Sequence, residues 1–213
     1  MIYELTTYQL KPRSVPQAED LFAAAYATRS RHSPLVGAFH TEFGPLNQIV
    51  HIWKYDDMAQ RERVAAQVEE EDAWPPAIGE YLVSANTAIM APVSFSRELK
   101  PGRLGPYFEL RTYTYPLGTL ATMMRAWERA MPMRDALGAP VAAVWVNRIG
   151  PLDTLTHLWP YQSLQQREDI RRKVRETGMW PPFKLDEAEG GSGYEILGQS
   201  NKLMLPAAFS PLQ

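Results

Sequence analysis

Glu4-Leu5-Thr6-Thr7-Tyr8 returns as Glu109-Leu110-Arg111-Thr112-Tyr113, and His51-Ile52-Trp53-Lys54-Tyr55 returns as His157-Leu158-Trp159-Pro160-Tyr161. The first pair lies 105 residues apart and the second 106. At the same offset of 106, Gly44-Pro45-Leu46-Asn47 matches Gly150-Pro151-Leu152-Asp153, Arg61-Glu62 matches Arg167-Glu168, and Trp74-Pro75-Pro76 matches Trp180-Pro181-Pro182. Matches in one order at one spacing define a tandem duplication. Its repeats span 1–98 and 105–213, and the second carries extra residues near Glu189-Gly190-Gly191-Ser192-Gly193 that read as a surface loop.

Within each repeat the periodicity alternates between two patterns. Ile2 to Leu10 alternates as a strand does, and Val15 to Arg31 places Leu21, Phe22, Ala25 and Tyr26 at helical spacing. Val36 to Phe43 and Gln48 to Tyr55 are strand-like and flank the Gly44-to-Asn47 turn, so they predict an antiparallel hairpin. Asp56-Asp57 predicts the cap of a helix that runs to about Glu71, and Tyr81 to Ala91 predicts a last strand. The order β-α-β-β-α-β is the ferredoxin-like unit. Such a unit leaves one sheet face uncovered, so the expected α+β fold packs the two antiparallel sheets face to face as an α/β barrel.

Composition narrows the function. A net charge of -2 argues against the basic field of a nucleic-acid binder. No run approaches the roughly 20 apolar residues of a membrane-spanning helix, and Met1-Ile2-Tyr3-Glu4 lacks a signal-peptide layout, so a cytoplasmic protein is expected. The absence of cysteine removes disulfides and thiolate chemistry. Four histidines at non-metal spacings predict no metal site, and no cofactor is predicted, although haem ligation by His51 or His157 stays compatible with the sequence.

The runs Arg31-His32-Ser33-Pro34-Leu35-Val36-Gly37, Thr41-Glu42-Phe43-Gly44-Pro45-Leu46-Asn47 and His51-Ile52-Trp53-Lys54-Tyr55-Asp56-Asp57 resemble the signature of the NIPSNAP family. In the second repeat Gly138-Ala139-Pro140 replaces His32-Ser33-Pro34, and Asn147-Arg148 replaces Thr41-Glu42. The resemblance implies a dimeric-α/β-barrel fold, often in tandem, without an agreed reaction. Related barrels include cofactor-free monooxygenases, haem enzymes and small-molecule isomerases or lyases, and fold alone does not choose among them.

Alternate strand residues share a face, so His51, Trp53 and Tyr55 form one aromatic stripe and His157, Trp159 and Tyr161 another. The functional expectation places both stripes inside the barrel, with His51 or His157 as acid/base and the aromatic residues as substrate wall. The competing expectation makes them packing residues. Glu4 and Glu109 are either general bases or members of structural ion pairs, with Arg111 as partner of Glu109 or, across the pseudo-twofold, of Glu4. Arg29-Ser30-Arg31-His32 reads as a cationic helix end, yet Arg31 and His32 have no counterpart in the second repeat, and His40 and Glu42 give way to Val146 and Arg148. This asymmetry places a specific site in the first repeat, with Arg31 and His32 as anion contacts. The mixed charges of Leu164 to Glu176 read as a solvated helix face.

Two functions fit. One is an enzyme acting on a small apolar or anionic metabolite by proton transfer or cofactor-free oxidation. The other is a non-catalytic binding or scaffold protein using the same barrel. A homodimer is expected because edge strands of such sheets associate.

Overall fold

The computed structural model describes residues 1–72, 74–182 and 195–213, so the expected 189–193 loop lies outside the described residues. The first repeat forms β1 (Ile2–Leu10), α1 (Val15–Arg29), β2 (Leu35–Phe43), β3 (Gln48–Tyr55), α2 (Met58–Glu70) and β4 (Leu82–Pro92). The second forms β5 (Tyr107–Thr114), α3 (Leu120–Ala136), β6 (Ala143–Ile149), β7 (Thr154–Tyr161), α4 (Leu164–Glu176) and β8 (Gly198–Pro206). The expected cap holds: Asp57 accepts a hydrogen bond from the Gln60 N–H at 2.7 Å, and Ser163 does the same for Gln166 at 3.0 Å. Both hairpins turn through left-handed residues, Gly44 and Asn47 in one and Gly150 and Asp153 in the other. At Gly44 a Cβ would lie 2.9 Å from the Asn201 carbonyl, so both the turn and the neighbouring strand require glycine there.

The strands close into one barrel in the order β1-β3-β2-β8-β5-β7-β6-β4, antiparallel throughout. Each repeat contributes a four-stranded sheet, and the β2–β8 and β4–β6 ladders join the two edges within a single chain. Every one of these strands has a neighbour on both sides. The edge association from which a dimer was expected therefore has no free edge to use, and any oligomer must form through other surfaces.

Reciprocal tails seal the seams. Ser96, just past β4, accepts from the Val144 N–H at 2.9 Å, and Ser210, just past β8, accepts from the Ala38 N–H at 3.0 Å. Each repeat thus caps a strand of the other.

The barrel interior is filled by Tyr3, Phe39, Val50, Ile52, Met90, Phe108, Leu110, Trp145, Leu158 and Met204, drawn from both repeats. Tyr3 meets Trp145 at 5.5 Å and Phe39 meets Phe108 at 4.9 Å between ring centroids, so aromatic pairs span the pseudo-twofold. Each such fully buried side chain contributes about 1.5–3 kcal/mol.

This packing corrects the expected placement of the stripes. Because Val50, Ile52 and Leu158 point inward, their strand neighbours point outward beneath the helices. Trp53 and Tyr55 pack with Val64 and Val68 of α2, and Trp159 and Tyr161 pack with Trp127 of α3 and Ile170 and Val174 of α4. His51, His157, Glu4 and Glu109 lie on the same outward faces, in the layer between sheet and helix rather than in the barrel. No described helix is long and apolar enough to cross a membrane.

Candidate functional site

The sheet–helix layer is built from equivalent residues in the two repeats but is not equivalent in chemistry. In the first repeat His51 is fully buried, with the rings of Phe22, Tyr8, Trp74 and Phe209 at 4.5, 5.3, 5.5 and 6.1 Å. Neither ring nitrogen has a hydrogen-bond partner among the described residues. Burial, with a smaller contribution from the charge of Arg29, lowers its pKa to about 3, so the imidazole is neutral. A ring so enclosed offers neither a path for substrate protons nor an axial position for haem.

Arg29 ends α1 as expected of a cationic helix end, but its further role went unread in the sequence. It is buried, with its guanidinium 3.9 Å from the Trp53 ring centroid and donating at 2.7 Å to both the Ser33 and Tyr55 hydroxyls. Arg31 and His32, by contrast, do not reach a buried site. Both meet Glu71 beyond α2, at 3.7 and 3.0 Å, and Arg31 is largely exposed. His40 bonds Glu19 of α1 at 2.8 Å, a local tie whose carboxylate raises the histidine pKa. The asymmetry that pointed to the first repeat therefore resolves into surface and helix-to-strand contacts.

Glu4 pairs with Arg61 at 2.7 Å, not with Arg111. Glu109, equivalent to Glu4, is completely buried and accepts from Arg167 at 2.7 and 3.2 Å, from Asn201 at 2.9 Å and from Arg111 at 3.2 Å. Burial alone would raise its pKa, but the Arg167 hydrogen bonds and the charges of Arg111 and Arg167 outweigh that and hold it below the usual carboxylate value. Saturated and ionised, Glu109 is an electrostatic anchor rather than a base. The structural ion-pair expectation describes both carboxylates.

Beside Glu109 a cavity of about 210 Å³ opens between β5, β7 and α4, lined by Arg111, Tyr113, Arg134, His157, Trp159 and Trp180 among others, with Arg171 and Arg175 on its helix side. Arg134, 105 residues after Arg29, lies 4.0 Å from the Trp159 centroid and 4.8 Å from that of Trp180 and hydrogen-bonds Tyr161. The second hydroxyl is gone, because Ala139 stands where Ser33 stands in the first repeat. Three further exchanges add charge: Thr6 to Arg111, Ala65 to Arg171 and Glu69 to Arg175. Arg171 and Arg175 follow Arg167 at i, i+4 spacing on the α4 face toward the sheet, which corrects the expectation of a wholly solvated face.

His157 sits opposite Arg111 in the β5–β7 ladder, against the rings of Trp127, Tyr113 and Trp159. The Trp159 indole N–H, which can only donate, hydrogen-bonds to His157 Nδ1. Burial and the nearby Arg111 and Arg134 charges lower its pKa well below the usual value. A neutral ring accepting at Nδ1 carries its proton on Nε2, so His157 presents a donor there. That Nε2, together with the Nε atoms of Arg111 and Arg134, is buried without a hydrogen-bond partner among the described residues. Leaving such groups unpaired costs about 1–3 kcal/mol each. All three belong to residues lining one cavity.

Fold and site together define a two-repeat α/β barrel with a polar, arginine-lined cavity between the barrel wall and the helices of the second repeat. The NIPSNAP family model matches residues 3–97 and 108–211, and the chain belongs to the NIPSNAP family. It is 29% identical to human NipSnap homolog 3A over all of this chain and 86% of that one. It is 30% identical to human NipSnap homolog 3B over 99% of this chain and 85% of that one. Among solved structures, a candidate monooxygenase from Lactobacillus acidophilus superposes with a TM-score of 0.65 at 10% identity, covering 97% of this chain and 94% of that one. At that identity the likeness extends to the fold alone.

Proposed function

We propose that the second repeat of this NIPSNAP protein holds its small-molecule site, in the cavity beside His157, and that the first repeat is its folded counterpart. The observation that carries this reading is that three residues lining one cavity, Arg111, Arg134 and His157, each hold a buried N–H without a partner among the described residues. Such donors call for an acceptor, and a ligand oxygen seated among these side chains would supply one once they turn toward it. At 210 Å³ the cavity is smaller than the roughly 300–1,000 Å³ of sites for drug-sized ligands, which suits a small metabolite and does not admit a porphyrin.

The chemistry available is stabilisation of negative charge. Glu109 is held ionised by its partners and His157 donates from Nε2, so neither is arranged to abstract a proton. A bound carbonyl or enolate oxygen would be polarised by the neutral imidazole and the surrounding guanidinium groups, the arrangement that stabilises an oxyanion. Catalysis, where it occurs, runs through that stabilisation.

Gln199 is exposed at the cavity mouth, and Ala85 occupies its place in the β1–β4 ladder of the first repeat. Thermal-shift screening of a panel of small carbonyl and carboxylate metabolites should find compounds that stabilise the native protein and Ala85→Trp but not Gln199→Trp. Ligands that stabilise all three equally would remove the site from the second repeat.

A further inference from the structure

The cavity does more than accept oxygen atoms, because its charge is far from balanced. Arg111, Arg134, Arg171 and Arg175 line it, and Glu109 is the single carboxylate among its described lining residues. Glu109 is itself largely committed to Arg167, which lies outside the lining, at 2.7 Å. Four cations against one shared anion leave an excess of positive charge that a neutral or singly charged ligand would not balance. Arg134 is buried and Arg111 and Arg171 are half-buried, and like charges at close quarters with so little water call for a compensating charge of the other sign.

The walls add a shape. Trp159, Trp180, Tyr113 and Tyr161 supply flat faces, two of them already stacked against the Arg134 guanidinium. The Trp180 ring, 5.1 Å from Trp127 and 6.2 Å from Trp159, stays with its tryptophan neighbours, whereas its first-repeat equivalent Trp74 lies against the histidine. The space above His157 is thereby left between aromatic planes. Guanidinium forks fit carboxylate and phosphate oxygens in pairs, and aromatic planes favour a flat body.

Resting on the second-repeat site proposed above, we infer that the ligand is a small planar dianion, an aromatic or conjugated body carrying two carboxylates or one phosphate. The second-repeat residues Arg111, Arg171 and Arg175 select for the second charge, and Arg134 with His157 reads the oxygen nearest the cavity floor.

The test is calorimetric titration of the full chain with benzene-1,3-dicarboxylate, phenyl phosphate, benzoate and benzamide, at low and high salt. The dianions are expected to bind at least tenfold more tightly than benzoate, with benzamide weakest, and to lose affinity as salt rises. Arg111→Thr, Arg171→Ala and Arg175→Glu, each installing the residue of the first repeat, should each weaken dianion binding severalfold and together abolish the preference over benzoate. The preferred dianion distinguishes a carboxylate from a phosphate ligand. Equal binding of benzamide and the dianions, blocked by Gln199→Trp, would leave the site standing and overturn the dianion assignment. Binding of none of the four to a folded protein would overturn the dianion assignment, and if the metabolite panel also gave no Gln199-dependent stabilisation, the site would fall with it. Dianion affinity unchanged in the triple variant, with its fold verified by circular dichroism, would also overturn the assignment.

Discussion

In the first repeat His51 is closed in by four rings and Arg29 has two hydroxyl acceptors. In the second, His157 has three ring neighbours and borders a cavity, and Arg134 has lost the hydroxyl that Ser33 provides for Arg29. The backbone elements and most buried aromatic positions are shared, with Phe22 replaced by Trp127. The difference in charge and hydrogen bonding comes from four positions, Thr6/Arg111, Ser33/Ala139, Ala65/Arg171 and Glu69/Arg175. A sheet–helix layer can therefore be a sealed core or a charged pocket on the same frame, depending on a few side chains that the frame itself does not need.

The largest expected separation between the repeats is at the paired glutamates. Glu109 is wholly buried against Arg111 and Arg167, with Arg171 at 4.0 Å. Arg167 retains Glu168 at 2.6 Å, but Glu109→Gln would leave the half-buried Arg111 guanidinium without its carboxylate, at a cost of about 3 kcal/mol. Glu4 is slightly exposed, and Arg61 retains Glu62 at 2.8 Å, so Glu4→Gln should cost about 1 kcal/mol. Urea denaturation of both variants measures the difference, and equal losses would erase the electrostatic distinction between the repeats.

Acid comes next. Both histidines have folded-state pKa values below the ordinary 6.5, His51 at about 3. The unfolded chain therefore takes up these protons first. The stability contributed by the neutral His51 ring is complete above pH 6.5 and is lost as pH falls from 6.5 toward 3, at about 1.4 kcal/mol per pH unit, and His157 contributes in the same direction. Between pH 7 and pH 5 this amounts to about 2 kcal/mol for His51. His51→Leu should remove its share of that slope and, because no partner is lost, leave stability at pH 7 unchanged or higher. His157→Leu also removes an unpaired nitrogen but leaves the buried Trp159 indole N–H without its acceptor, so at pH 7 it should be about 1–3 kcal/mol less stable than His51→Leu. Denaturation curves at pH 7 and pH 5 distinguish the two, and a wild-type-like pH slope in His51→Leu would rule out a buried neutral ring.

The duplication and the β-α-β-β-α-β order were legible because repeated turns and period-two alternation survive in both halves. The in-or-out sense of β3 and β7 was not. Alternation reveals which face is inward when the other face meets water, but nearly every residue of β3 and β7 is buried on both sides. The aromatic stripe and the aliphatic stripe were equally eligible for the barrel, and tertiary packing chose the aliphatic one. Arg29 and Arg134 share the 105-residue offset of their strands, a signal hidden by the ordinary preference for cations at helix ends. Arg171 and Arg175 were visible at i, i+4 from Arg167, whose repeat match placed it as a fixed residue. Their orientation depended on Glu109 facing α4, which only the sheet register supplies.

The smallest effect probes the missing hydroxyl. Arg29 donates to Ser33 at 2.7 Å, whereas in the second repeat Ala139 takes the place of Ser33 and the Nε of Arg134 is unpartnered among the described residues. Ala139→Ser offers Arg134 the acceptor that Arg29 has, and a hydrogen bond of this kind should add about 1 kcal/mol. The same bond would draw the guanidinium away from the cavity, so dianion affinity should fall two- to fivefold as stability rises. Paired thermal-shift and titration measurements separate these readouts. A less stable variant with unchanged affinity would mean that Arg134 is held by Trp159, Trp180 and Tyr161 alone, and that the missing hydroxyl does not govern its availability to ligand.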